Sequence, residues 1–345
     1  LASYIQHLRL DACLRELQAP VAVWNRWGVH RSPADTVSLV VGSGPVGVAA
    51  ITNVLARNGR EFAVFTGSLA PGLIRYVRAS AALGRLRTGG LARVGGANLP
   101  AMLDVALDAD QLQERLGIKV VDLDLEHVTD IGDPGMPVSD VSADEADRSH
   151  RLAAAMSGAC SRTGVVAGAL NCHGAAIMGS DSWGVTGCWA AAVAGRDGIP
   201  FACTGDLCTA VAMYAAQALG GGAQYLEIDA SDPSCDASLV TNGGEADLSM
   251  LRAQPAPRLR GNQFFPGRHG RGLAVDAVLA PGPVTAIAFT PIGEGYRLIT
   301  AEGCVLDREP PALQVTRGFL RLGDDHVAVL DRWWGAGANH HCALA

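Results

Sequence analysis

The pattern of apolar segments changes character once along this chain, near Pro255. Before that point, short apolar runs such as Phe62–Phe65 and Ile118–Leu123 alternate with longer stretches of helical spacing, and this alternation predicts parallel sheets covered by helices. After it, short apolar runs are separated only by Gly and Pro, which predicts antiparallel strands. The strands expected there are Val275–Leu279, Val284–Phe289, Tyr296–Gly303 and Phe319–Leu322.

The predicted fold class is therefore α/β: two Rossmann-like parallel α/β domains followed by a C-terminal antiparallel β-barrel-like domain. A chain of 345 residues is also long enough to form more than one domain. The expected divisions are residues 1–30 as a remnant of, or connection from, an N-terminal α/β region, 31–135 as an α/β domain, 136–254 as the central α/β domain, and 255–345 as the barrel-like domain.

Composition excludes some classes of partner. Hydrophobic residues make up 49 % of the chain, the formal net charge is −7, and no basic stripe with interleaved aromatic residues occurs, which argues against nucleic acid. The apolar stretch Val37–Ala56 is interrupted by glycines and a proline, so we expect no membrane span. Nine dispersed cysteines favour reduced thiols and a cytoplasmic location. Because the chain opens on Leu1, we also expect a fragment of a longer protein.

The segment Gly42–Gly47 fits the glycine pattern of a dinucleotide-binding turn, in which glycines let a helix N-terminus approach a pyrophosphate. A carboxylate should follow about 20 positions later to hold a ribose hydroxyl. Here the next strand ends at Phe65, Thr66 and Gly67, without one. A flavin- or nicotinamide-dependent oxidoreductase is thus an alternative hypothesis, and an incidental glycine-rich turn is the other interpretation.

Two acidic residues follow successive predicted strands in the central region. Asp206 lies where a strand gives way to the predicted helix Cys208–Leu219, and Glu227 lies near the end of the next strand, Gln224–Asp229. Carboxyl ends of strands in an open α/β sheet share one crevice, so we expect the two carboxylates to meet there. Asp206 is equally well placed to cap the helix N-terminus.

The C-terminal residues add a pair of imidazoles, His340 and His341, after a glycine-rich turn and two tryptophans, Trp333 and Trp334. Imidazole is the commonest protein metal ligand and titrates near neutral pH. Two carboxylates and one imidazole suit Mn²⁺ or Mg²⁺. A solvated loop with incidental histidines is the alternative interpretation.

Taken in order, several segments resemble the L-fucose/L-arabinose isomerase family. These segments are Arg75–Leu125, Pro200–Asp229, Asn242–Glu245, Thr300–Gly303 and Gly337–His341. The resemblance implies three domains with a terminal β-barrel, a divalent metal (usually Mn²⁺), and a trimer-based homo-oligomer such as a trimer or hexamer. It also implies aldose–ketose isomerisation through an enediol, in which carboxylates move a proton between adjacent carbons.

The family's site residues transfer only in part. Its first carboxylate falls on Thr204, whose hydroxyl is a weak base, with Asp206 two residues later. The second falls on Glu227, or on Asp229 if the strand slips, and the final metal histidine falls on His340. A histidine of the arabinose branch falls on Asn242. We therefore expect Asp206 and Glu227 as catalytic residues and Glu227, His340 and Asp206 as metal ligands.

Other side chains are candidates for substrate contact: Asn242, Glu245, His173, His341 and Trp334. Glu245 would replace the lost carboxylate, and His173 follows a strand that would face the same crevice. Structural alternatives for each are a satisfied core group or ordinary packing. Arg268 and His269 are further candidates for a polar ligand, with a solvated loop as the alternative.

The leading hypothesis from sequence is a carbohydrate-processing enzyme acting on a sugar or polyol, either an isomerase or a divergent epimerase or lyase. A metal-free sugar-binding relative without catalysis is the alternative of a different class.

Overall fold

The computed structural model describes residues 21–25, 44–66, 71–126, 135–179, 181–263 and 271–345. The chain divides into two compact units, Leu1–Gly84 and Arg85–Ala345. The boundary between the two units falls inside a helix.

The first unit contains a pair of parallel strands, β1 (Val21–Asn25) and β2 (Phe62–Thr66), with helix α1 (Gly44–Arg57) between them in sequence. Helix α2 (Pro71–Gly89) begins in this unit. Its Tyr76 hydroxyl donates a hydrogen bond to the Val21 carbonyl at 3.3 Å. The predicted glycine-rich turn is described only from Gly44 onward, and there it forms the first turn of α1; Gly42 and Ser43 lie outside the described residues.

The second unit contains a four-stranded parallel sheet, as the alternating sequence pattern predicts. Its strands are β3 (Leu91–Val94), β4 (Val120–Asp122), β6 (Ala167–Leu170) and β7 (Phe201–Ala202), in the order β4-β3-β6-β7. The accompanying helices are α3 (Ala109–Leu116), α4 (Ala143–Thr163), α5 (Ala175–Met178), α6 (Cys188–Arg196) and α7 (Leu207–Gly220).

Local signals define the ends of these helices. Helix α4 begins with a capping box, in which Ser142 and Glu145 satisfy each other's backbone amides, and it ends at Gly164 in the left-handed conformation. Helix α7 begins at Asp206, whose side chain accepts a hydrogen bond from the Thr209 amide, and ends at Gly221. The structural interpretation of Asp206 as an N-cap is thus confirmed.

The core of this unit lies between helices α4 and α6 and the parallel sheet. Leu152, Met156, Trp189 and Phe201 are at most 2 % exposed there. Runs of alanine on both helices permit close approach, and each large apolar side chain buried contributes about 1.5–3 kcal/mol. The Trp189 indole donates to His150 Nδ1 at 3.0 Å, which gives Trp189 a structural role.

The remaining strands form one nine-stranded mixed sheet. They are β5 (Val138–Ser139), β8 (Gln224–Asp232), β9 (Ala237–Asn242), β10 (Arg258–Gly261), β11 (Leu273–Val278), β12 (Gly282–Ile292), β13 (Gly295–Val305), β14 (Thr316–Leu322) and β15 (His341–Leu344). Their order is β13-β12-β15-β8-β9-β14-β11-β10-β5, and β13 also pairs with β14. Helix α8 (His326–Gly335) precedes β15.

This sheet corrects two expectations. It is mixed rather than purely antiparallel, because β10 pairs with β5 and β11 with β14 in parallel. It also includes β8 and β9, which the sequence assigned to the central parallel sheet. The reason is partner choice: β8 and β9 form an antiparallel hairpin, and β15 and β14 pair on its two sides. Local sequence carries no signal for such distant partners.

Within the described ranges, no helix is long and apolar enough to cross a membrane.

Candidate functional site

Loops at the carboxyl edge of the parallel sheet meet beside strand β8. The Asn171 side chain, just after β6, donates to the Ala97 carbonyl after β3 at 2.5 Å. The amide of Gly205, after β7, donates to the Leu170 carbonyl at 3.1 Å. Gly205 has φ +76°, and a Cβ there would lie 2.8 Å from the Asn98 amide nitrogen. Only glycine permits the loop after β7 to approach the loop after β3 this closely.

Asp206 lies at the centre of this edge and is fully buried. One carboxylate oxygen accepts the Thr209 amide at 2.8 Å, and the other accepts the Thr209 hydroxyl at 2.5 Å. The second oxygen also receives the ring Nδ1–H of His341 at 2.8 Å. Every strong contact of Asp206 is therefore with the protein itself, so it orients other groups and does not reach a ligand.

His341 reaches Asp206 because strand β15 pairs antiparallel with β8, which sets His341 directly opposite Glu227. The second ring nitrogen of His341 lies 3.5 Å from the Glu227 carboxylate. Three residues far apart in the chain thus form one group, Asp206–His341–Glu227, which we call the charged triad. Only Glu227 is open to solvent, with 37 % of its side chain exposed against 1 % for His341.

The positive charge of His341 and the negative charges of the two acids stabilise each other in the triad. Burial would lower the pKa of His341, but the hydrogen bonds and charges of Asp206 and Glu227 outweigh it and raise the pKa to about 9. The ring is therefore an imidazolium at neutral pH. Its contact lowers the pKa of Glu227 below the ordinary value, despite partial burial. Glu227 is consequently a carboxylate and a weak base.

His340, the expected metal ligand, takes a different partner. Its Nδ1 lies 2.5 Å from the Asp104 carboxylate, which also accepts the His340 backbone amide at 3.0 Å. Burial raises the pKa of Asp104, but these hydrogen bonds and the charge of His340 lower it overall. The exposed pair His340–Asp104 joins the C-terminal segment to the loop after β3. The His340 ring lies beside the His341 ring, with centroids 3.7 Å apart, but it is His341 that pairs opposite Glu227 of β8.

Asp229, the alternative to Glu227, lies at a β-bulge where the β8–β9 register shifts. Its carboxylate accepts the Thr241 hydroxyl, and burial raises its pKa.

Tyr225 shares the inward face of β8 with Glu227, two residues away. Its ring lies 4.8 Å from the His341 ring, measured between centroids. The phenol is buried near the Thr204 side chain but makes no well-oriented hydrogen bond within the part of the chain that the structure describes. Burial raises the pKa of Tyr225 well above its usual value, so the hydroxyl remains a donor.

Thr204, at the position of the family's first carboxylate, has φ +56°, a strained conformation for a β-branched residue. Its hydroxyl donates to the Cys203 carbonyl at 2.8 Å. The residue is buried beside the triad, and its weakly basic hydroxyl supplies none of the carboxylate's charge.

Two predicted substrate contacts are structural. The Asn242 amide donates to the Tyr225 carbonyl at 2.9 Å, and its oxygen accepts the amides of Gly244 and Glu245, each at 2.9 Å. Asn242 therefore holds the turn after β9. Glu245 is 4 % exposed, and burial, with nearby Cys172 and Asp247, raises its pKa well above the ordinary value. Burial therefore disfavours the charged form that a substitute carboxylate would need.

Of the remaining candidates, one follows strand β6, one lies on helix α8, and two fall outside the described residues. His173 follows Asn171, whose side chain accepts its amide at 3.1 Å, and burial lowers the pKa of its ring. Trp334 is 49 % exposed on α8, whereas Trp333 is buried in the core of the mixed sheet. Arg268 and His269 fall outside the described residues.

The residues present do not fit the divalent metal that the resemblance implies. Both ring nitrogens of His341 face carboxylates, so the ring is protonated and has no lone pair to offer a cation. His340 is paired with Asp104, and Thr204 replaces a carboxylate. Among the described residues, no three His, Cys, Asp or Glu side chains are grouped to hold a metal ion. The imidazolium itself occupies the position between the two carboxylates.

Sequence reasoning missed Asp104 and Tyr225 as parts of this site. Asp104 carried no signal, because it belongs to a loop far from the acidic segment. Tyr225 could have been found, since side chains two apart on a strand share a face.

Comparison with protein-family models and with curated proteins gave no match. What the fold and the site define is therefore a class: a mixed α/β protein with a buried histidine clamped by two acids at the carboxyl edge of a parallel sheet.

Proposed function

We propose that this chain is a metal-independent carbohydrate-binding relative of the L-fucose/L-arabinose isomerase family, which holds a sugar or polyol at the charged triad. The observation that carries the proposal is the Glu227 carboxylate: it is fixed by a buried imidazolium behind it and is exposed in front. The resemblance assigns Asp206, Glu227 and His340 to the family's site, and the first two of these meet at the charged triad.

The polar groups around Glu227 suit hydroxyl recognition. A carboxylate accepts hydrogen bonds from ligand hydroxyls, and these charge-assisted bonds are stronger than neutral ones. The Tyr225 phenol lies on the same face of β8, but its oxygen is buried, so Glu227 is the group of this face that meets a ligand. A polyol carries several hydroxyl donors in close succession and can place one or two of them on the Glu227 carboxylate.

The same chemistry disfavours proton abstraction from carbon. A general base works best with a pKa near the working pH, whereas the imidazolium lowers the pKa of Glu227. Asp206 is sealed from ligand, and Thr204 supplies no carboxylate. Binding without turnover is therefore the function that these groups support best.

The fold offers independent support for the family. Strands β12, β13, β14, β9, β8 and β15 are paired in a closed circuit, because β13 joins β14. Such a circuit is what a barrel-like domain requires, and we propose that architecture here. A homo-oligomer and a cytoplasmic location remain proposals from the resemblance and from the dispersed cysteines.

Isothermal titration calorimetry with L-fucose, L-arabinose and L-arabinitol, each in EDTA and again with Mn²⁺, tests the proposal. We expect at least one probe to bind equally in both conditions. Glu227→Gln should abolish this binding, whereas Glu302→Gln, which changes an exposed glutamate on β13, should preserve it. Failure of all three probes to bind in EDTA, or binding that requires Mn²⁺, would refute it.

The isomerase itself is the second candidate, favoured by the meeting of Asp206, Glu227 and an imidazole. Isomerisation through an enediol exchanges the hydrogen on C2 of an aldose with solvent. Proton NMR in D₂O with Mn²⁺ present would detect this exchange; we expect none.

A further inference from the structure

Two cysteines lie in contact at the carboxyl edge of the parallel sheet. Cys172 follows β6 and Cys203 follows β7, and these strands are neighbours with Ala169 opposite Ala202. Their sulfur atoms are 3.4 Å apart. We propose that Cys172 and Cys203 form a reversible intramolecular disulfide, so that this thiol pair is an oxidative modification site beside the charged triad.

The geometry requires little movement. A disulfide bond is about 2.05 Å long, so the sulfurs must approach by roughly 1.4 Å. Both cysteines lie in loops just beyond their strands, where side-chain rotation and small backbone shifts are easier than within a ladder. The hydrogen bond from the Gly205 amide to the Leu170 carbonyl keeps the two loops together.

The two thiols differ in acidity in the way that disulfide formation needs. The hydrogen bond from Cys203 lowers the pKa of the Cys172 thiol, outweighing burial, and the Thr204 amide acts in the same direction. The same contact, together with burial, raises the pKa of Cys203 well above its usual value. Cys172 is thus the more acidic of the two thiols and is the one assigned the first step, with Cys203 as its resolving partner.

Cys188 is a third cysteine nearby; it is buried and provides a matched control. Burial and the charge of Cys172 raise its pKa to about 12, so it is an unreactive thiol. The Asn262 side-chain amide lies 3.2 Å from its sulfur, which holds Cys188 toward the turn that follows β9.

With hydrogen peroxide as oxidant, the reaction balances as follows. The Cys172 thiolate attacks one peroxide oxygen, the O–O bond breaks, and the released hydroxide takes a proton to become water. The sulfur of the resulting sulfenic acid is then attacked by Cys203, which loses its proton as the S–S bond forms and hydroxide leaves. The sum is two thiols and one peroxide giving one disulfide and two waters. Cys172 is itself buried, but Cys203 in contact with it is partly exposed, so this small oxidant reaches Cys172 past Cys203.

The bond would tie the loop that carries Thr204 and Asp206 to the loop after β6. Oxidation should therefore reduce the mobility of the groups around the triad. This modification needs neither a sugar nor turnover, so its test is independent of the proposed function.

The test is peroxide treatment of the reduced full-length chain, followed by alkylation in denaturant and intact-mass measurement. We expect titratable thiols to fall by two from the nine in the sequence, a mass loss of about 2 Da before alkylation, and one crosslinked peptide pair containing residues 172 and 203. Dithiothreitol should restore all nine thiols.

Three single-cysteine variants test which thiols form the bond. Cys188→Ser should still lose two thiols, whereas Cys172→Ala and Cys203→Ala should form no disulfide, with circular dichroism confirming that each variant is folded. The proposal is overturned if the wild-type chain keeps all its thiols, if Cys172 proceeds to sulfinic acid instead, or if the crosslink involves Cys188.

Discussion

The buried imidazolium of His341 makes stability depend on pH in a direction that can be measured. Its pKa rises from an ordinary 6.5 to about 9 in the fold. A group whose pKa is raised on folding stabilises the protein fully below the unfolded value, and this contribution is lost as the pH rises through the folded value. The window for His341 therefore runs from about pH 6.5 to about pH 9.

The size of the effect follows from the shift. One pKa unit corresponds to about 1.4 kcal/mol, so the full contribution is about 3 kcal/mol near pH 6, and it falls below about 0.5 kcal/mol at pH 9. Solvent screening reduces this value only slightly, because the His341 side chain is 1 % exposed.

The assay is urea unfolding of the wild-type protein and of His341→Gln at a series of pH values from 6 to 9.5. The quantity compared is the free energy of unfolding of the wild type minus that of the variant at each pH. Other titrating groups are shared and cancel in that difference. We expect the wild-type advantage to shrink by about 3 kcal/mol across the range. His340→Gln is the matched control: it removes the adjacent exposed ring and should leave the alkaline loss intact. A wild-type advantage that is constant with pH would show that His341 is neutral, and the charged triad would be refuted.

Three further substitutions test the site. Tyr225→Phe removes a buried hydroxyl without a well-oriented partner, so we expect the free energy of unfolding in urea to be unchanged or raised by up to about 1 kcal/mol; a clear loss of stability would instead assign the hydroxyl a structural bond. Asp206→Asn keeps an oxygen to cap helix α7 but loses the charge, so NMR titration should find the pKa of His341 lowered, and an unchanged pKa would contradict the ion pair. Gly205→Ala combines left-handed strain with a clash against backbone, so we expect it to lower the free energy of unfolding in urea by more than about 2 kcal/mol. The control Gly198→Ala has the same strain but its Cβ meets nothing within 4 Å, so it should cost only about 1 kcal/mol. Equal costs would show that the loops do not need their close approach.

Much of the local architecture is readable from sequence. The alternation of apolar segments predicts the parallel sheet, and the glycines after α3 and α7 mark helix ends because only glycine adopts the left-handed conformation there without strain. Asp206 is readable as an N-cap for a similarly local reason: its side chain satisfies an amide three residues away.

Contacts between residues distant in sequence could not be predicted in this way. Glu227 was expected at the end of a parallel strand, but β8 joins the mixed sheet, and no residue between 224 and 232 encodes that choice. The contact between Cys172 and Cys203 cannot be read from the sequence either, because their spacing reflects two intervening helices, α5 and α6, rather than a motif.

The sequence by itself determined that an imidazole from the C-terminus and acids from the middle of the chain belong to one candidate site. Which imidazole enters it was decided by tertiary structure alone. The two rings are adjacent, with centroids 3.7 Å apart, and His340 lies just before strand β15. The pairing of β15 with β8 sets His341 directly opposite Glu227, whereas the backbone amide and the ring of His340 both contact Asp104.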